Sequence, residues 1–201
     1  MKNKINSKML ILIIAIIVLI IVAITVLGQV GKVSKEEAKE IALKNMNASN
    51  YVETIKQGDN ETIITCSDNK MKITYSNKDA YLFMDLETKE MKVISEQEKT
   101  VKTSQEEKTV GLQVFKNYWN EEYYTFKGAK KVDYENKECL LVTFENEEFE
   151  VKVWNELENG LPVKVETKDK KTKEVYTEEI TVKLNEAKTI EIPDLTDYKQ
   201  K

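Results

Sequence analysis

The chain has no histidine and no arginine, and only two prolines and two cysteines in 201 residues. Without histidine the usual general base near neutral pH is missing. Ser-His-Asp and Cys-His pairings and histidine-containing zinc sites go with it. Without arginine, no guanidinium can clamp a phosphate through two parallel hydrogen bonds. All 31 basic residues are therefore lysines, and they are interspersed with 35 acidic ones to a net charge of −4. A nucleic-acid-binding face needs a clustered basic patch, so none is expected. Catalysis would have to rest on carboxylates, Lys, Tyr or Cys. Glu-rich stretches such as Glu145 to Glu150 could hold a carboxylate pair or a cation, but alternation along a strand reads as a solvated face. The chain is therefore read as non-enzymatic, with no cofactor, no catalytic residue and no metal site.

What the sequence does contain is one long apolar run. Met9 to Leu27 reads MLILIIAIIVLIIVAITVL, with no charge and only Thr25 polar. A helix rises about 1.5 Å per residue and the hydrocarbon core is about 30 Å thick, so roughly 20 apolar residues span a bilayer. The run meets that requirement, and a transmembrane anchor is expected over residues 9–29. Lys2, Lys4 and Lys8 precede it with no acid among them, so the flank 1–8 should stay cytoplasmic and the rest should lie outside. A cleaved signal peptide would need a shorter apolar region and a small-residue site; Val26 and Gly28 offer a weak one. A lipoprotein signal would need a Cys just after the run, and the only cysteines are Cys66 and Cys139.

After the span and a linker over 30–33, about 170 residues remain, which suits one domain with a real core. Ser34-Lys-Glu-Glu37 has the form of a capping box. Ala38, Ile41, Ala42 and Met46 give a helical stripe running to near Asn47. From Tyr51 the period becomes two, and strands are expected at Tyr51 to Gln57, Glu61 to Ser67, Lys70 to Ser76, Ala80 to Leu86 and Glu90 to Ser95. Asp68-Asn69 tolerates the positive φ of a tight hairpin. Gln97 to Lys108 is polar and expected to be solvated. A second helix is expected from Val110 to Tyr124, with Leu112, Phe115, Tyr118 and Trp119 on its stripe. Five more strands should follow, near Ala129 to Tyr134, Glu138 to Phe144, Glu148 to Trp154, Pro162 to Thr167 and Val175 to Leu184, with Asn159-Gly160 marking one hairpin. The tail from Thr189 to Tyr198 returns as an extended segment, which Pro193 restricts to an edge or an end. Cys66 and Cys139 could form a disulfide or remain two separate buried thiols; spacing leaves both open.

Val151 to Thr167, VKVWNELENGLPVKVET, with the preceding KKVDYENKECLLVTF, resembles the paired strands around an acidic-Gly-Leu-Pro turn in the lipoprotein-carrier superfamily, the LolA/LolB-like half-barrel. The resemblance covers most of residues 34–198. It implies an α+β fold: an N-terminal transmembrane helix, then a curved antiparallel sheet with helices packed on its concave side. It also implies an apolar cavity for acyl chains or a surface for a partner. The chain departs from the carrier in having no Arg to control a lid and in carrying an anchor, both of which argue against free shuttling. It looks closer to Gram-positive relatives, including a spore-germination lipoprotein that regulates a cell-wall amidase, although the lipobox Cys is absent.

The expected function is therefore a single-pass membrane protein whose extracytoplasmic domain holds a lipid or acylated lipoprotein, or docks a cell-envelope partner. The alternative is a non-enzymatic regulator of a peptidoglycan enzyme. Candidate residues for lipid or partner binding on the concave face are Met71, Ile73, Tyr81, Phe83, Phe149, Val151 and Val153.

Overall fold

The computed structural model describes residues 31–105 and 110–201. The expected anchor at 9–29 and its flank lie outside the described residues; among those described, no helix is long and apolar enough to cross a membrane. Val33–Lys201 forms one compact unit, which holds the fold described below.

The strands are β1 (Lys32–Val33), β2 (Tyr51–Gln57), β3 (Asn60–Ser67), β4 (Lys70–Tyr75), β5 (Ala80–Asp85), β6 (Glu90–Ser95), β7 (Thr100–Gln105), β8 (Thr125–Tyr134), β9 (Lys137–Glu145), β10 (Phe149–Glu156), β11 (Pro162–Asp169), β12 (Val175–Leu184) and β13 (Lys199–Gln200). They form one open, curved sheet in the order β1-β8-β9-β10-β11-β12-β2-β3-β4-β5-β6-β7-β13. Two meanders, β2–β7 and β8–β12, are thus joined at one seam. There β12 runs antiparallel to β2, with Leu184 opposite Tyr51 and Ile180 opposite Ile55. The hairpins use the expected chemistry: Asp68 and Asn69 both have positive φ, 52° and 60°, and Glu135-Asn136 repeats the device.

Helix α1 (Lys35–Leu43) starts where the capping box places it. The Ser34 hydroxyl accepts from the Glu37 amide at 3.2 Å, with Glu36 and Glu37 in the first turn beside the positive end of the dipole. Removing that cap by Ser34→Ala should lower the stability by about 1 kcal/mol, or roughly 2–4 °C in Tm, read by thermal unfolding.

Two expectations are corrected. The stretch from Gln97 to Lys108 is not simply solvated: Thr100–Gln105 is strand β7, paired with β6, and Val101 is fully buried. A single apolar residue gives no period to read; its partners lie across the sheet. The helix expected over Val110 to Tyr124 is only a 3-10 turn, Gly111–Gln113, followed by the short α2 (Val114–Asn117). Beyond it, Trp119 donates to Lys116 at 3.0 Å and Asn120 to Asn117 at 3.1 Å, a tightening to three-residue bonds. That tightening sets Tyr118 and Trp119 together on Phe144, stacked at 5.8 Å and edge-on at 4.9 Å. Aromatic packing on the sheet outweighs helix propensity here.

Candidate functional site

Register fixes which side chains share a face, because alternation in a strand has period two. Tyr51, Glu53 and Ile55 of β2 lie opposite Cys66, Ile64 and Thr62 of β3, which in turn face Met71, Ile73 and Tyr75 of β4. Across the seam the same face continues through Leu184, Val182 and Ile180 to Val165, Val153 and Val142. This inner face is filled by the chain itself. Ala38 of α1, Met46, Leu112 and Phe115 join it in one buried cluster.

The candidate binding residues divide between two faces. Met71, Ile73, Val151 and Val153 are buried in the inner cluster, and half-buried Phe149 packs at its margin. Tyr81 and Phe83 do not belong with them. They lie on the opposite face, where Phe83, Ile94 and Val101 are covered by Ile190, Leu195 and Tyr198 of the C-terminal tail. Sequence alternation gave both faces of β5 apolar residues, and only the returning tail explains the outer set. The tail finishes in β13, which adds to β7 in parallel, and Lys99 donates to the Tyr198 hydroxyl at 3.2 Å.

Two clefts flank the segment that fills the face. One, of ≈ 390 Å³, has Tyr51, Cys66 and Met71 on its floor and Asn69, Val110 and Gln113 at its rim. The other, of ≈ 630 Å³, lies among Val114, Tyr118, Tyr124, Glu148 and Phe149. At the first cleft the backbone comes close to a side chain: the Leu112 amide donates to the Tyr51 hydroxyl at 3.3 Å. Gly111 (φ +62°) carries no Cβ, and one would collide with that hydroxyl. Burial pushes Tyr51 and Tyr118 far above the ordinary phenol range, and both stay neutral.

The inner face also contains an acid that the sequence reading passed over. Glu53 is 0% exposed, between Ile64 and Val182 on neighbouring strands, and neither carboxylate oxygen has a hydrogen-bond partner. Desolvation, with Glu178 on the same face as the second cause, pushes its pKa up to about 7. Burial raises Glu178 as well. The alternation Tyr51-Glu53-Ile55 already put an acid on the apolar face of β2. In a chain this rich in Glu the signal is hard to distinguish.

Cys66 and Cys139 are both buried and both free. Cys66 points inward beside Met71, whereas Cys139 precedes the inward Leu140 and so points outward. The acidic stretch is solvated and paired: Glu145 accepts from Lys127 at 2.6 Å and from Lys170 at 3.3 Å. Among the described residues, no group of three or more His, Cys, Asp or Glu could hold a metal ion.

No protein-family model matches the sequence, and no curated protein matches it. In structure it is similar to an uncharacterised conserved protein from Thermus thermophilus, at TM-score 0.55 and 10% identity over 83% of this chain and 98% of that one. MucB, in its complex with MucA from Pseudomonas aeruginosa, aligns at TM-score 0.46 and 8% identity, over 75% of this chain and 56% of that one. A LolA superfamily protein from Nitrosomonas europaea aligns at TM-score 0.32 and 13% identity, over 83% of this chain and 98% of that one. The Thermus protein therefore shares this chain's fold.

Proposed function

We propose that this chain is a non-enzymatic binding protein, anchored through residues 9–29 with its domain outside the cytoplasm, which docks a cell-envelope protein partner. The observation that favours docking over carriage of an acyl chain is the filled inner face. Leu112, Phe115, Met46 and Ala38 occupy the space that an acyl cavity would need. A cavity for a lipid must be concave and mostly apolar, and on the inner face that position is taken by these buried side chains. Regulation of an envelope enzyme is one form that docking takes, and it requires no ligand in the sheet.

Titrating a dansyl-labelled undecanoic acid into the fragment 30–201 tests this reading. The expected result is no saturable fluorescence gain. A one-to-one, saturable gain that palmitate reverses would overturn it and establish carriage.

A further inference from the structure

Met1 and Met9 aside, every methionine of the sequence lies in one place. Met46, Met71, Met84 and Met91 all belong to the inner core cluster, together with Cys66. Four of these five side chains form a row straight across the sheet. Cys66 of β3 lies opposite Met71 of β4, Met71 opposite Met84 of β5, and Met84 opposite Met91 of β6. Directly opposed side chains have Cβ atoms about 4.5–5.5 Å apart, so each sulfur is within reach of the next.

The row is accessible at one end. Cys66 and Met71 form part of the floor of the ≈ 390 Å³ cleft. Their side chains converge there on Tyr51: its hydroxyl interacts with the Cys66 thiol, and the Met71 Cε lies 3.4 Å from the point above Gly111 that the same hydroxyl crowds. Methionine is a common filler of irregular cores. Packing alone, however, does not require three thioethers and a thiol in one row that ends at an open cleft.

We propose that the inner end of this row is a binding site for one Cu(I) ion, held by the Cys66 thiolate and the thioethers of Met71 and Met84. Thiolate and thioether donors select Cu(I) over harder ions. The chain has no imidazole to compete, and among the described residues no cluster of harder donors provides another site. Binding forms a Cu–S bond as the Cys66 S–H proton leaves to solvent; the copper stays Cu(I) and no electron is transferred. Burial pushes the Cys66 thiol up, so one proton should be released per ion and the affinity should fall about tenfold per pH unit on acidification.

The test is anaerobic competition of the full chain, in non-ionic detergent, against bicinchoninate for Cu(I), repeated with Ag(I) as a redox-inert probe. The expected result is one ion per chain with an ultraviolet thiolate-to-metal band. Affinity should fall by about tenfold or more in Cys66→Ser and in the near-isosteric Met71→Leu/Met84→Leu double variant. Cys139→Ser and Met91→Leu should bind as the parent does. Should Cys66→Ser fail to fold, which circular dichroism would reveal, the double variant decides. Failure to compete with bicinchoninate, or full binding retained in the folded double variant, would overturn the site.

Discussion

Between about pH 4.5 and pH 8 the domain should lose about 3 kcal/mol of stability through Glu53, and Glu53→Gln should abolish most of that slope. The folded-state value, about 7, lies above the ordinary 4.5. The folded chain therefore holds the proton more tightly than the unfolded one. The contribution is fully present below about 4.5, declines as the pH rises, and is gone once it passes about 7. Glu178 shifts in the same direction, so a shallower slope should survive in the variant. Exposed carboxylates held low by partners, among them Glu145 beside Lys127 and Asp85 beneath the Thr88 amide, act oppositely and only at still lower pH. Stability should thus peak near the ordinary carboxylate range. Chemical denaturation across pH, followed by tryptophan fluorescence, measures the slope. At pH 8 the variant should melt roughly 6–12 °C above the parent; equal slopes in the two proteins would show that Glu53 is not the group responsible.

Gly160→Ala should cost about 2–4 kcal/mol, whereas Gly58→Ala should cost about 1. Both glycines have positive φ, +74° and +58°, so both substitutions carry the left-handed backbone penalty. Only Gly160 also abuts another element. A Cβ there would run into the Ile41 carbonyl of α1 and lie 3.2 Å from the Lys44 Cβ, whereas nothing lies within 4 Å of the corresponding point on Gly58. The turn that contains Gly160 is fastened to the end of the helix. Lys44 Nζ donates to the Glu158 carbonyl at 2.7 Å and the Asn45 side-chain amide donates to the Asn159 carbonyl at 2.8 Å. Leu161 follows and is buried in the core. The difference between the two variants, read as Tm in parallel melts, isolates the close approach from the backbone penalty. It also gives the Asn-Gly-Leu-Pro turn, which carried the family resemblance, a structural reason: it holds α1 against the sheet.

Much of this was legible in local pattern. Ser34 with Glu37 gave the start of α1, and Asp68-Asn69 gave a hairpin. The alternation of Val151 and Val153 with charged neighbours gave a strand with one apolar face. These signals depend on residues a few positions apart. The site was less legible. Phe83 lies between Leu82 and Met84, so alternation could not say which face of β5 looks inward, whereas Val151 lies between Glu150 and Lys152; the first packs under the tail and the second in the inner cluster. β7 was missed, and the helix over 110–124 read too long, for a related reason: Val101 packs under the returning tail and Trp119 on Phe126 and Phe144, contacts that no local period shows.

The sequence alone determined the period of each segment, the hairpin chemistry and the absence of histidine and arginine chemistry, because these depend on residue type and short-range backbone geometry. Only the tertiary structure decided that β12 joins β2, that residues 111–119 fill the inner face, and that Glu53 lies without a partner beside a row of sulfur atoms. Those outcomes depend on long-range packing, in which burial and register select among faces that are equally apolar in the sequence.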